Sequence, residues 1–377
     1  MTEPVFADGG RTTARDAVLF VSHTPAMSGA EAVMLDVVDE ALRRGKQVTV
    51  AIPPGAVSER LPATVAHVRL PPLGLDGGTG LGRALAIVRL GVRWLQAARR
   101  LRPYVRDTDT AVIINSLFAL PAVRLSGVRR RGSWLVHDTL TRRKQKLMLA
   151  LGRGAVGRAV AVSRVTAESL GGPAAMDVVV AYNGVRVPTS TPERQPAARP
   201  VVGVLAKIVP WKGHRLLLDA LRDMPDVDIE FAGDWFPGDG AYVDELKRLA
   251  DEPPLRGRVT FLGKRDPAEC LQRWTAMVSP SIEPEAGPLG VLEAMSLACP
   301  VIGTAHGGTA EYLADGAGLL VEPGNPEAMA AAVARLIADD ALQRDVATRA
   351  RARVAAEHDI RHTLPRMASH LFGDTTR

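Results

Sequence analysis

Residues 280–300 read PSIEPEAGPLGVLEAMSLACP. Ala276, Met277 and Val278 precede this stretch and, with Ser279-Pro280, predict the end of a buried strand. Leu289, Val291, Leu292, Met295 and Leu297 predict a helix that also carries Glu293. Gly287 and Pro288 make the turn between them. Proline is tolerated in the first turn of a helix, where its missing N–H has no intrahelical partner. The free N–H groups of Leu289 and Gly290 then point out of the helix start and form an anion site reinforced by the helix dipole. Glu285 lies before this site and Glu293 inside the helix. A phosphate needs neither carboxylate, so hydroxyl groups are their natural partners. A phosphate beside several hydroxyls describes a nucleotide-sugar. The bland alternative makes Glu285 an acid at a helix start and Glu293 part of a solvated face, and short motifs do recur by chance.

The residues around the two glutamates add weight to the first reading. The stretch resembles the donor-site signature of the retaining glycosyltransferases of family 4 (glycosyl transferases group 1), in which seven residues separate two glutamates. Glu285 and Glu293 have that spacing, and Ala294-Met295 and Pro300-Val301 also fit. Three positions depart from the pattern. The aromatic residue usual before the glycine is missing from Glu285-Ala286-Gly287, Pro288 offers no N–H, and Ala298 stands where glycine is frequent.

A second match lies upstream. Val201 to Leu205 predicts a strand, followed by Lys207 and by Pro210-Trp211-Lys212-Gly213-His214. The family carries a basic residue after this strand and a lysine before a glycine, and the resemblance assigns Lys207 and Lys212 to the diphosphate of the donor. Lys207 replaces a commoner arginine and binds phosphate as a point charge, without a bidentate fork. Two solvated loop lysines are the alternative. Further strands are expected at Val227 to Ala232, Val259 to Gly263, Val301 to Gly303 and Leu319 to Val321, with helices from Pro326 to His358 closing this half. His306, in His306-Gly307-Gly308, is expected to be structural.

The first half reads as a similar unit. Ala17 to Val21 is a short apolar run, the expected first strand of a parallel sheet. Ser28-Gly29-Ala30-Glu31 opens a helix through Leu42, and Gln47 to Ile52 is the next strand, a doubly wound arrangement. The dinucleotide fingerprint G-x-G-x-x-G is absent, so no Rossmann cofactor is indicated. The loop at Gly29 resembles the family's glycine loop, which faces the interdomain cleft. Ala111 to Ile114 and Trp134 to Val136 are further strands, the latter ending in His137-Asp138. Ligands in such folds sit outside the carboxyl ends of the strands. The resemblance gives His137 an active-site role near the reacting carbon; a histidine capping the next helix is the alternative. Ala159 to Val162 and Val178 to Ala181 complete the sheet.

A chain of 377 residues accommodates two ordinary domains. The expected division is a disordered tail at 1–13, an acceptor-side domain at 14–190 and a donor domain at 191–377, with Pro188 to Pro200 as linker and hinge. Two cysteines suggest neither a disulfide framework nor a metal site. They fit a reducing cytoplasm, and neither a signal-peptide core nor a membrane-spanning run is apparent. The net charge of +6 hides an asymmetry: residues 1–190 hold 26 Lys+Arg against 14 Asp+Glu, and the remainder 21 against 27. The basic residues from Arg129 to Lys146 run into Leu147 to Leu151, the pattern of a segment resting on an anionic membrane surface. A solvated basic face or a site for an anionic soluble acceptor are the alternatives. No nucleic-acid module accompanies the charge.

The resemblance implies an α/β fold of two doubly wound, Rossmann-like domains facing across a cleft, the glycosyltransferase B-type fold. It implies a retaining, metal-independent transferase with no cofactor, using a nucleoside-diphosphate sugar as donor and a hydroxyl acceptor, peripheral on the inner membrane face where that acceptor is lipid-linked. Glu285, His137, Lys207 and Lys212 are the expected catalytic residues; Glu293, Gly29, Gly287, Leu289 and Gly290 are the expected donor-binding residues. A nucleotide-sugar epimerase on the same fold and a non-catalytic binding homologue are the other readings.

Overall fold

The computed structural model describes residues 16–74, 80–171, 176–191, 193–195 and 197–374. The expected tail at 1–13 lies outside the described residues. The first sheet has seven parallel strands: β1 (Ala17–Val21), β2 (Gln47–Ile52), β3 (Ala66–Arg69), β4 (Ala111–Ile114), β5 (Gly132–Val136), β6 (Val156–Ala161) and β7 (Asp177–Val180), in the order β3-β2-β1-β4-β5-β6-β7. The second has six: β8 (Val201–Leu205), β9 (Asp228–Ala232), β10 (Val259–Gly263), β11 (Ala276–Ser279), β12 (Val301–Thr304) and β13 (Leu319–Val321), in the order β10-β9-β8-β11-β12-β13. All pairs are parallel; β1, for example, aligns Val18–Val21 with Ala111–Ile114 of β4. The central strands are continuous apolar runs because helices bury both faces. Strand order reverses between β1 and β4 and again between β8 and β11, so each sheet has a crevice at the carboxyl ends of those strands.

Three elements depart from the expected organisation. Strand β3 was not anticipated: its sequence, AHVR, lies at the sheet edge and is only partly buried, so it carries no continuous apolar run. The passage between sheets comes earlier than the expected 190/191 boundary, since Val185 and Val187 already pack in the core of the second sheet. The segment after it is tied to that sheet rather than hanging free: the amides of Gln195 and Ala197 donate to the carbonyls of Gln272 (3.2 Å) and Arg273 (3.1 Å). Finally, the helix Ile360–Phe372 does not belong to the second domain. Leu364, Met367, Ala368, Leu371 and Phe372 form one apolar stripe buried in the core of the first sheet. The Phe372 ring stands edge-on to Phe20 at 6.5 Å, and Asp374 pairs with Arg44 and Lys46 at 3.2 Å each.

The chain therefore crosses twice between the sheets, and the two crossings are bonded together. The Val185 amide donates to His358 O (2.9 Å) and the Ile360 amide to Val185 O (3.0 Å). His358 Nδ1 donates to Asn183 O at 3.1 Å, and its ring lies edge-on to Tyr182 and Tyr312. This junction is where the chain passes between the two sheets. Among the described residues, no helix is long and apolar enough to cross a membrane.

Candidate active site

The two crevices open onto a single cleft of about 700 Å³, within the roughly 300–1,000 Å³ range of ligand sites. Every residue proposed above for the site lines it: Gly29 and His137 on one wall, and Lys207, Lys212, Glu285, Gly287, Leu289, Gly290 and Glu293 on the other.

The second-sheet wall is held by close backbone approaches that demand glycine. Gly213 has φ of +74°, and a Cβ there would lie 1.9 Å from Pro280 O, so the loop bearing Lys212 sits directly on the end of β11. A Cβ on Gly287 would meet Tyr312 Oη at 2.7 Å, and one on Gly290 would meet Leu205 O at 2.6 Å. The start of the helix Leu289–Ser296 is thereby pressed against the end of β8. Pro288 is the N-cap itself and supplies no side-chain bond, which leaves the first amides of that helix without a capping group. Gly29 differs: a Cβ there would touch Leu289 at an ordinary 3.6 Å, so crowding gives no reason for glycine.

Each lysine is held between a carboxylate and an aromatic face. Lys207 pairs with Asp234 and lies over the Phe236 ring at 4.7 Å. Lys212 pairs with Glu285 and lies over the Trp211 ring at 4.5 Å. The environments differ. Asp234 is 55% exposed, whereas the Glu285 side chain is 6% exposed and also accepts a bond from Ser281 Oγ. Glu285 is thus engaged by two protein groups, a pairing that the sequence assignment of separate roles to Lys212 and Glu285 did not include. Glu293 is half-buried; burial, with a smaller contribution from Asp266, pushes its carboxyl up to about 7.

The first-sheet wall contains groups that sequence reasoning passed over. His137 follows β5 and receives Asn115, which follows β4: His137 Nε2 lies 3.0 Å from Asn115 Oδ1. Burial holds His137 down to about 4, so the ring is neutral. Ser28 caps the helix by accepting from the Ala30 amide at 3.2 Å, and its hydroxyl donates to Glu31 in the first turn at 2.5 Å. Burial raises the carboxyls of Glu31 and Asp138, and His23 is held down to about 4. Asn115, His23 and Asp138 each stand just beyond a strand's carboxyl end, and that position was the signal that could have found Asn115 and His23.

Two contacts bridge the domains on either side of the cleft. Arg142 pairs with Glu283 across it. Glu311, from the helix Gly307–Tyr312, accepts the amides of Arg164 (3.1 Å) and Val165 (2.7 Å) at the start of the opposing helix Arg164–Ser169. The basic run is correspondingly smaller than its sequence suggests. Arg142 is spent on Glu283, and Arg131 binds the carbonyls of Val105 and Thr110. Arg129, Arg130, Arg143, Lys144 and Lys146 remain exposed.

Comparison with known proteins agrees with this geometry. Residues 189–353 match the family model of glycosyl transferases group 1. The chain is 32% identical over 157 residues to the lipopolysaccharide core biosynthesis glycosyltransferase LpsE of Rhizobium meliloti, a match covering 41% of this chain and 44% of that protein. It is 33% identical over 216 residues to a D-inositol 3-phosphate glycosyltransferase of Mycolicibacterium vanbaalenii, covering 51% of this chain and 46% of that one. These matches span less than half the length of either relative. Among solved structures, Anabaena Alr3699/HepE in complex with UDP-glucose superposes with a TM-score of 0.78 at 21% identity, covering 95% of this chain and 99% of that one. Sucrose-phosphate synthase from Thermosynechococcus elongatus superposes at 0.76 and 19% identity, covering 94% and 98%. Two parallel doubly wound sheets facing one cleft give this chain the fold of those structures, and residues 189–353, which form most of the second unit, match the group 1 glycosyl transferases.

Proposed function

We propose that this protein transfers a sugar from a nucleoside-diphosphate sugar to a hydroxyl acceptor, with retention of anomeric configuration and without a metal ion. One observation carries this reading: Lys207, Lys212, an uncapped helix start, Glu285 and Glu293 converge on one wall of a cleft, with Gly29 and His137 on the other. Breaking the anomeric bond builds negative charge on the departing diphosphate. Lys207, Lys212 and the amides of Leu289 and Gly290 are the groups to stabilise it, and charge stabilisation of this kind is commonly the largest catalytic contribution. Lys207 exchanges its exposed partner Asp234 for phosphate at little cost, since exposed pairs are worth about 0–1 kcal/mol. Glu293 binds the ribose hydroxyls. Glu285, oriented by Lys212 and Ser281, binds the sugar hydroxyls, and His137 meets the sugar near the reacting carbon.

The test is a panel of nucleotide-sugars screened for thermal stabilisation, UDP-glucose among them because HepE binds it. A ligand that binds the folded state alone raises apparent stability. Products with the stabilising donor are then read by NMR. Transfer with retained configuration supports the proposal; a changed sugar without acceptor indicates an epimerase, and binding without turnover a non-catalytic homologue.

A second observation favours a lipid-linked acceptor. On the helix Arg143–Gly152, Leu147 (56%) and Leu151 (50%) are exposed beside Arg143, Lys144 and Lys146. On the helix Gly80–Val105, which has no acidic residue, Leu85, Val88, Val92 and Leu95 form an exposed stripe among arginines. The helix Leu120–Leu125 packs against both. Apolar stripes flanked by cations suit an anionic membrane surface, with the acceptor delivered to the adjacent cleft rim.

A further inference from the structure

Asn115 is almost fully buried, and both ends of its carboxamide are committed. Its Nδ2 donates to Ala30 O at 3.3 Å, and its Oδ1 faces His137 Nε2 at 3.0 Å. A backbone carbonyl only accepts, so the amide nitrogen must face Ala30 and the amide oxygen must face the ring. The Asn115 amide in turn donates to Val21 O at 2.9 Å, anchoring the residue between β1 and β4 at the strand-order reversal. The oxygen facing His137 has no proton to give. The ring nitrogen opposite it therefore carries one.

We infer that Asn115 is a positioning residue that fixes His137 as its Nε2–H tautomer, leaving Nδ1 to accept a hydrogen bond in the cleft. Which ring nitrogen holds the proton is set by the bond the other makes. A lone pair at Nδ1 selects for a donor opposite it: a sugar hydroxyl fits, and a carboxylate or phosphate oxygen meets repulsion. The ionisable groups sharing the cleft with His137 are His23, Glu31, Asp138, Arg142 and Lys144 on its own wall, and Lys207, Lys212, Glu283, Glu285 and Glu293 on the facing one. The hydroxyl partner rests on the glycosyl-transfer reading; the tautomer does not.

The experiment separates the two. Long-range 1H–15N correlation spectra of the ligand-free, histidine-labelled protein report tautomer and titration of each of its 8 histidines, with His137→Gln identifying the signal. A neutral Nε2–H ring at pH 7 that titrates well below the ordinary histidine range is the expected result. An Nδ1–H ring overturns the inference even if the protein proves to be a transferase. In Asn115→Asp the ring keeps its Nε2–H form, its midpoint rises, and the acid limb of the kcat profile on the donor found by the panel moves up with it. Asn115→Leu, which removes the acceptor, lowers kcat roughly tenfold or more, as when proton placement is lost, with KM for donor little changed. Wild-type kcat in a folded Asn115→Leu overturns the positioning role; should that variant not fold, the spectra and Asn115→Asp decide. If no nucleotide-sugar is turned over at all, the transferase reading fails while the tautomer result stands.

Discussion

Lys212 and Glu285 form a salt bridge in the floor of the cleft, with side chains only 15% and 6% exposed. Removing one member of such a buried pair typically costs about 3–5 kcal/mol, because the other charge is left unpaired. Lys212→Met is expected to lower the urea midpoint markedly, and Lys212→Met/Glu285→Gln to recover part of the loss. Turnover falls in both. A single variant as stable as wild type would show that the pair is not formed in solution.

Glu293 links stability to pH. Its folded carboxyl, at about 7, lies above its ordinary 4.5. The folded state then holds the proton more tightly than the unfolded chain, so stability is highest below about 4.5 and is lost as pH rises through about 7. Glu293→Gln removes this dependence. Urea titrations should show the variant gaining on wild type across that window and holding its advantage above it; a constant difference would contradict the shifted carboxyl. Donor affinity of the variant should weaken by roughly 1.5–3 kcal/mol for a lost charged hydrogen bond to ribose.

Glu311 bridges the two domains. Its carboxylate satisfies two amides that a helix start leaves open, and it does so from the opposite sheet. Because Gly308 of the same helix donates to Glu285 O at 2.7 Å, the latch is continuous with the loop bearing Glu285. Glu311→Ala should enlarge the radius of gyration in solution scattering, and saturating donor should reverse the change. Identical profiles for wild type and variant would remove the latch from the closing mechanism.

The exposed stripes predict membrane association. Each Lys or Arg near an anionic surface contributes about 1 kcal/mol. Sedimentation with phosphatidylglycerol vesicles should capture the protein at low salt and release it as salt is raised. Phosphatidylcholine vesicles should not capture it. Arg143→Gln/Lys144→Gln/Lys146→Gln should weaken binding, as should Leu147→Ser/Leu151→Ser. Indifference of the wild type to anionic vesicles would make the acceptor a soluble one.

The sequence by itself determined every strand of the two sheets but β3, and the residues that line one wall of the cleft. Runs such as Ala17–Val21 and Val201–Leu205 read as strands buried on two faces, and the glutamate spacing and the lysine loop are local patterns read along the chain. Contacts between distant segments had to come from the tertiary structure. Strand β3 is too polar to announce itself and exists because β2 offers it an edge. The last helix has a legible apolar stripe, but only packing decides that the stripe lies on the first sheet, where Phe20 and Arg44 wait for it. Charges behave in the same way. Lys212, Arg142 and Arg131 look equally available in the sequence, yet folding gives them Glu285, Glu283 and backbone carbonyls, because a buried charge or an orphaned carbonyl must find a partner. Asn115 and His137 stand 22 residues apart and meet only because β4 and β5 lie side by side in parallel, with Ile114 paired to Trp134 and both carboxyl ends on the same side of the sheet.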